Sequence, residues 1–229
     1  MRAPVIAVDG PAGSGKSAVS RGVAVRLGLR YLDTGAMYRA MTWAVLDAGI
    51  DVSDNAGVAE HAPTTVITSG TDPAAPTIHV NGVDVSAPIR GDAVTSAVSA
   101  VSAVPSVRER LVRIQRDAVH AARDAGLGIV VEGRDITTVV LPDADLKIFI
   151  TADAAVRASR RAAQDEDLGK ESVDVSQTQT ALLERDAKDS GRTTSPLMLA
   201  TDAVLVDTTE LSLDEVIDHV CVLADEIPG

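Results

Sequence analysis

The chain has little cysteine, few aromatic residues and no long apolar run. Its single cysteine, Cys221, allows no internal disulfide, which is typical of proteins in a reducing compartment. This cysteine falls in an apolar pattern with Val216 and Val220, so we interpret it as a core residue. No apolar segment approaches the roughly 18 residues of a membrane span, and the N-terminus lacks the pattern of a secretory signal. We therefore expect a cytoplasmic protein with no membrane partner.

Positive charge is also scarce. The 229 residues include 21 Lys and Arg against 33 Asp and Glu, which gives a formal net charge of −12. Nucleic-acid binding needs a basic face, so we expect no nucleic-acid partner. The hydrophobic content of 45% excludes a disordered chain, and the length suits one domain with an insertion. An anionic ligand would require the few arginines to be clustered, so their positions are informative.

A glycine-rich segment near the start carries the clearest motif. Eight residues match the phosphate-binding pattern G-x-x-x-x-G-K-[ST]: Gly10, Pro11, Ala12, Gly13, Ser14, Gly15, Lys16 and Ser17. Residues 5–8 predict a buried strand before it, and residues 18–27 predict a helix after it. In such loops backbone N–H groups surround phosphate oxygens. Lys16 would reach the β- and γ-phosphates and Ser17 would bind Mg²⁺; a chance glycine-rich turn is the alternative.

Apolar β-branched runs alternate with helical patterns along the chain. The predicted strands are 5–8, 129–131, 146–150 and 204–206. The predicted helices are 18–27, 36–48, 106–125, 154–163, 176–188 and 213–226. This alternation predicts an α/β fold, a parallel sheet flanked by helices, with ligands at the carboxyl ends of the strands.

Residues 63–90 interrupt this alternation. Two short β-like runs, 64–68 and 77–85, lie in this segment, and Asn81-Gly82 is a strong hairpin signal. The pattern predicts a small antiparallel insertion. A surface hairpin without a functional role is the alternative.

Charged residues follow the predicted strand 129–131. Glu132 ends it, at the position where phosphate-loop proteins commonly hold Mg²⁺, directly or through water. Gly133 would let a ligand approach the backbone. Arg134 and Asp135 would lie at the carboxyl edge of the sheet, and a surface ion pair between them is the alternative.

Two arginines occupy early positions in predicted helices. Arg39 follows a glycine turn, and Arg108 lies in the first turn of a helix for which Ser106 and Glu109 predict a capping box. A cation at a helix N-terminus opposes the helix dipole. An anionic ligand would explain Arg39, and a solvated surface arginine is the alternative.

Two further basic groups lie in the last third of the chain. Arg185, Asp189 and Arg192 share one face if their segment is helical. The other group comprises Arg157, Arg160 and Arg161. It precedes an acidic run, 164–171, in which Gly169 is a possible hinge. Ordinary salt-bridged surface helices would give the same patterns.

Five motifs together resemble those of bacterial cytidylate kinases. They are residues 10–17, 33–39, 132–136, 141–144 and 184–186. The resemblance runs from about residue 4 to residue 226, and it implies a P-loop NTPase fold that transfers the γ-phosphoryl group of MgATP to CMP and dCMP. It also implies a single kinase domain. Its parts would be a core (1–62, 91–152, 195–229), a monophosphate-binding insertion (63–90) and a helical lid (153–194).

The resemblance also implies roles for individual residues. The nucleobase pocket would contain Thr34, Ser99, Arg108 and Asp135. The CMP phosphate would be held by Arg39, Arg134 and Arg192. The ribose side and the closing lid would involve Arg185 and Asp189. The lid over ATP would include Arg157 and Arg161. The groups acting in transfer would be Lys16, Arg134, Arg161 and Arg192.

The chemistry of cytosine agrees with these roles. The Asp135 carboxylate can accept a hydrogen bond from the exocyclic amino group, and Arg108 can donate to the ring. Uracil would place a carbonyl against that carboxylate. The attacking phosphate is largely dianionic at pH 7, so no general base is needed. We expect a monomer with Mg²⁺ as its cofactor.

Two other functions remain open at this stage. A shikimate or gluconate kinase would share the loop and the lid but would need neither the 63–90 insertion nor an Arg108–Asp135 pair. A GTP-binding switch would need an Asn-Lys-x-Asp motif, which the sequence lacks. Phosphorylation assays with CMP, shikimate and gluconate separate the kinases.

Overall fold

The computed structural model describes residues 3–167, 174–192 and 195–227. Its strands, in chain order, are β1 (Val5–Asp9), β2 (Arg30–Asp33), β3 (Ile67–Ser69), β4 (Ile78–Val80), β5 (Val83–Asp84), β6 (Ile129–Gly133), β7 (Leu146–Thr151) and β8 (Val204–Asp207). Its helices are α1 (Lys16–Leu27), α2 (Thr34–Asp47), α3 (Asn55–His61), α4 (Asp92–Val101), α5 (Pro105–Asp124), α6 (Ala154–Asp167), α7 (Val175–Ser190) and α8 (Leu213–Asp225).

The central sheet has five parallel strands in the order β2-β6-β1-β7-β8. Alternate residues of β1 face opposite sides, since Val5 and Ala7 pack in one apolar cluster and Ile6 and Val8 in another. The first cluster is covered by α2 to α5, and the second by α1 and α8. The predicted α/β fold with a parallel sheet between helices is therefore confirmed.

All strand carboxyl ends of this sheet lie at one edge because the strands are parallel. The phosphate-binding loop follows β1, which lies in the middle of the sheet. The segment that contains Arg134 follows β6 on one side of β1. Helix α6 follows β7 on the other side.

The insertion forms a three-stranded antiparallel sheet, β3-β4-β5. Asn81 and Gly82 have positive φ angles of 50° and 82°, so the predicted hairpin turn is confirmed. The insertion is packed rather than peripheral, because Ile67, Ile78 and Val80 belong to the same apolar cluster as α2. It also borders the main sheet, where Tyr31 N donates to Thr71 O at 2.9 Å.

Several local predictions are wrong or incomplete. The sequence pattern does not predict β2, α3 or α4. The Ser106–Glu109 capping box does not form, because α5 begins at Pro105 after Val104, and the buried Ser106 hydroxyl has no hydrogen-bond partner. A short π-helical turn at Ile136–Val140 follows β6.

The acidic run 164–171 is described only as far as residue 167, where α6 ends. Gly169, the possible hinge, lies outside the described residues. Within the described ranges, no helix combines the length and apolarity that crossing a membrane requires.

Candidate active site

The phosphate-binding loop connects β1 to the start of α1. Gly13 and Gly15 have φ angles of 76° and 83°, a region that glycine adopts without strain. Helix α1 begins at Lys16 with no side-chain cap and no acidic residue in its first turn. The N–H groups at this helix end are therefore available to an anion.

Lys16 lies near two arginines and two carboxylates. Its Nζ donates to Pro11 O at 3.5 Å. Burial lowers the pKa of Lys16 to about 8, repulsion by Arg134 and Arg185 adds to this, and Glu132 opposes it. An anion bound at the loop would relieve this repulsion.

Glu132 is the candidate metal-binding carboxylate, and only 2% of it is exposed. Its Oε1 accepts from Tyr31 Oη at 2.6 Å. Burial raises the pKa of Glu132, the negative charge of Asp33 raises it further, and interaction with the Ser17 hydroxyl lowers the pKa of this carboxyl. These oxygen donors fit Mg²⁺, which usually binds one or two carboxylates together with substrate phosphates and water.

A buried ion pair follows β6. Arg108 Nη2 donates to Asp135 Oδ2 at 2.5 Å, with exposures of 6% and 4% for the two residues. Arg108 Nη1 also donates to Ser102 O at 3.3 Å, and its guanidinium lies 5.3 Å from the centre of the Tyr38 ring. The alternative of an Arg134–Asp135 surface pair is therefore wrong, because Asp135 pairs with Arg108 inside the protein.

A second buried carboxylate holds two arginines. Asp189 Oδ2 accepts from Arg134 Nε at 2.9 Å, and Asp189 Oδ1 accepts from Arg192 Nη2 at 2.6 Å. Arg134 also donates from Nη1 to Gly10 O at 2.6 Å, which connects it to the phosphate-binding loop. Arg192 lies beyond the end of α7 at Ser190, so the expected shared helix face extends only to Asp189.

Two further arginines approach the same region. Arg39 Nη1 donates to Ile89 O at 3.1 Å and to Thr95 Oγ1 at 2.9 Å. Burial lowers the pKa of Arg39 to about 10, and repulsion by Arg185 and then Arg161 adds to this. Burial likewise lowers the pKa of Arg185 to about 10, and repulsion by Arg134 contributes to this lowering.

The Arg185 Nε is buried without a hydrogen-bond partner. Crowded, desolvated cations with an unused donor are typical of a site that binds an anion. This site lies beside the phosphate-binding loop, because Arg134 contacts both Asp189 and Gly10.

The remaining predicted site residues differ in their contacts. Thr34 Oγ1 is buried and donates to Glu132 O at 2.7 Å. Ser99 is half-buried on α4, and its carbonyl accepts from Ser102 Oγ, which also accepts from Arg192. Arg161 donates to Asp165 Oδ2 at 2.9 Å on the surface of α6.

Arg157 points toward the phosphate-binding loop. Its Nη1 donates to Ala12 O at 2.9 Å and to Asp186, and its Nε donates to Ala152 O at 3.1 Å. The buried guanidinium is thus already bound to protein groups.

Sequence reasoning missed three acidic residues and a tyrosine of this site. Asp9, at the end of β1, accepts from Ile136 N at 2.9 Å and from Thr137 N at 2.8 Å, which fixes the segment after Asp135. Asp33 caps α2, and Asp186 accepts from Ala12 N at 3.0 Å. Tyr31 holds Glu132. Asp9 and Asp33 had a usable signal, because both are acidic residues that end parallel strands.

Known proteins with similar sequences share one description. A family model described as Cytidylate kinase matches residues 6–226. The chain is 55% identical over 224 residues to a cytidylate kinase of Streptomyces avermitilis, covering 98% of this chain and 94% of the relative. It is 57% identical to one of Streptomyces coelicolor, with the same coverage. It is 55% identical to one of Nocardia farcinica, covering 97% and 94%.

Solved structures with the same fold are more distant. An uncharacterized protein from Eubacterium ventriosum has a TM-score of 0.53 and 12% identity, covering 97% of this chain and 99% of its own. A sugar kinase from Janibacter sp. has a TM-score of 0.50 and 15% identity, covering 97% and 95%. These structures support the fold alone. The sequence matches extend over nearly the whole length and include the phosphate-binding loop and the arginine site, and by them this chain belongs to the cytidylate kinase family.

Proposed function

We propose that this protein is a cytidylate kinase that transfers the γ-phosphoryl group of MgATP to CMP and to dCMP. Membership of the cytidylate kinase family supports both the kinase activity and CMP as the substrate class. The observation that supports the assignment of residues is the group of half-buried arginines beside the phosphate-binding loop. Such a group suits a second phosphate facing the triphosphate.

The donor nucleotide would occupy the loop. Backbone N–H groups of residues 13–17 and the N-terminus of α1 would bind its phosphates, and Lys16 would neutralise charge that develops during transfer. Ser17 and Glu132 would hold Mg²⁺, with Tyr31 fixing the carboxylate at 2.6 Å. Bound Mg²⁺ would supply charge neutralisation and orientation of the phosphates.

The acceptor phosphate would bind to Arg39, Arg134 and Arg192, with Arg185 on the ribose side. Asp189 holds Arg134 and Arg192 through separate oxygens, so the two guanidinium groups are oriented before the ligand arrives. The attacking oxygen belongs to a monoester that is largely dianionic at pH 7, so alignment and charge neutralisation suffice.

The Arg108–Asp135 pair would recognise the base. Each partner offsets the cost of burying the other, so a buried ion pair would face the ligand. Asp135 has a second oxygen that could accept from the cytosine amino group. Arg108, oriented by Ser102 and Tyr38, could donate to the ring. A uracil carbonyl would face a carboxylate that cannot donate.

We also propose that the chain acts as a cytoplasmic monomer, with residues 63–90 as the monophosphate-binding insertion and residues 153–194 as the lid. The packing of Ile67, Ile78 and Val80 with α2 supports an insertion that belongs to the kinase domain. The molar mass from light scattering at assay concentration tests whether the protein is a monomer.

An ADP-release assay with MgATP tests the proposed function. The acceptors are CMP, dCMP, UMP, AMP, GMP, shikimate and gluconate, and a control contains excess EDTA. We expect rapid release with CMP and dCMP, slow release with the others and none without Mg²⁺. Equal use of UMP, or preference for shikimate or gluconate, would contradict the proposal.

A further inference from the structure

One residue of the phosphate-binding loop, Ala12, is held by an ion pair from the lid region. Asp186 on α7 accepts from Ala12 N at 3.0 Å, and Arg157 on α6 donates to Ala12 O at 2.9 Å. Arg157 and Asp186 also bind each other. Both backbone hydrogen-bonding groups of Ala12 are thus satisfied by a single charged pair.

The contact is closely packed as well as charged. Ala12 forms a small buried apolar cluster with Ala158 of α6 and Leu182 of α7. A Cβ atom at Gly13 would lie 2.8 Å from Arg157 O, so the backbone of α6 touches the loop. The bond from Arg157 Nε to Ala152 O connects the same guanidinium to the segment after β7.

The ion pair contacts the loop and is adjacent in sequence to arginines that would close over the substrates. Arg161 is one helical turn beyond Arg157, and Arg185 directly precedes Asp186. A fixed contact at this point means that the parts of α6 and α7 that contact Ala12 stay with the loop when the lid closes. Hydrogen bonds to charged groups are stronger than neutral ones, and this pair is largely buried.

We propose that Arg157 and Asp186 are positioning residues that hold the phosphate-binding loop in its nucleotide-binding shape and anchor the lid helices to it. This proposal rests on the proposed function only in that the loop binds the donor nucleotide. It gives Arg157 a role toward the loop backbone rather than direct contact with ATP. A purely structural contact would affect the stability of the fold without favouring one substrate over the other.

The experiment measures binding of MgADP and of CMP separately, by titration calorimetry, in two single variants and in the double variant that combines them. Asp186→Asn removes the charge that Arg157 requires, and Arg157→Met removes the guanidinium but keeps an unbranched apolar stem. Glu184→Gln, an exposed acid on the same helix, is the matched control. Thermal unfolding is recorded for each protein.

We expect MgADP to bind about tenfold more weakly to each variant, because a hydrogen-bonded charge on the loop is lost. The KM for ATP should rise similarly, while CMP affinity stays within about twofold and Glu184→Gln behaves as wild type. The double variant should lose little more than either single one, because the two residues act as a unit.

Several results would overturn the proposal. These are unchanged MgADP affinity in a folded variant, an equal loss of CMP affinity, or unfolding of both variants, since the pair would then serve the fold. If only Asp186→Asn fails to fold, the MgADP and CMP affinities of Arg157→Met test the proposal. Failure of the proposed function is separate, because it would appear as wild-type protein that does not phosphorylate CMP, whereas MgADP binding remains measurable.

Discussion

Replacement of Asp135 by alanine gives the sharpest test of base selection. The change removes a carboxylate that is 4% exposed and bound to Arg108 at 2.5 Å. A hydrogen bond to a charged group contributes about 1.5–3 kcal/mol. We therefore expect kcat/KM for CMP to fall about 10- to 150-fold. The value for UMP should fall much less or rise, because the repulsion of the uracil carbonyl is lost as well.

The same substitution should destabilise the protein. Arg108 would remain buried without its partner, and loss of one partner of a buried ion pair typically costs about 3–5 kcal/mol of unfolding free energy. Asp135→Asn is the companion variant, because it keeps the volume and gains a donor that could face the uracil carbonyl. We expect it to shift selectivity further toward UMP.

The assay measures kcat/KM for CMP and UMP at saturating MgATP, below the unfolding temperature of each variant. Asp202→Ala is the control, since it removes an exposed acid that pairs with Lys147 where β7 begins, at the opposite edge of the sheet. An unchanged CMP-to-UMP ratio in folded Asp135→Ala would refute the reasoning and move selectivity to Ser99 or the insertion.

Three other predictions concern the phosphate-binding groups. Lys16→Ala should abolish transfer while circular dichroism and thermal unfolding stay near wild type; normal turnover would exclude the assigned role. Arg39→Ala and Arg134→Ala should each cost about 2–4 kcal/mol in kcat/KM, and Arg134→Lys should restore little because lysine lacks the planar fork that bridges Asp189 and Gly10. The protein should take up protons when it binds ADP without Mg²⁺ at about pH 8.5, because burial lowers the pKa of Lys16 to about 8 and a bound anion raises it again. Calorimetry in buffers of different ionisation enthalpy measures this proton uptake. The Lys16→Ala variant should show none.

The pH dependence of stability follows from the same lysine. Its folded-state pKa, about 8, lies below its ordinary value of 10.5, so the unfolded chain binds more protons between these values. The contribution of Lys16 to stability therefore rises with pH across that interval.

The sequence predicts the parts of this protein that depend on local patterns. The phosphate-binding loop and four of the five parallel strands follow from spacing and apolar runs. The sequence does not predict strand β2, because Arg30-Tyr31-Leu32-Asp33 is short and begins and ends with a charged residue. Its length and ends resemble a turn, and only its pairing with β6 makes it a strand.

Contacts between distant segments are less predictable. Proximity in sequence favours Arg134 as the partner of Asp135, yet the partner is Arg108, 27 residues away. The bond between Asp186 and Ala12 joins residues 174 apart. The carboxyl-edge rule indicates which ends of strands meet, but the choice of ion-pair partner depends on side-chain packing that a single sequence does not contain.

The central place of β1 in the strand order has a consequence for how specificity can change. Most residues expected to bind the acceptor nucleotide lie in the segments after β2 and β6, on one side of β1. Helix α6, which belongs to the proposed lid over ATP, follows β7 on the other side. Under the proposed assignments, the two substrates would be recognised mainly by different stretches of chain on the two sides of the phosphate-binding loop. Exchange of the segments after β2 and β6 for those of a relative would then alter the choice of monophosphate while ATP remains the donor, so the two specificities can evolve separately.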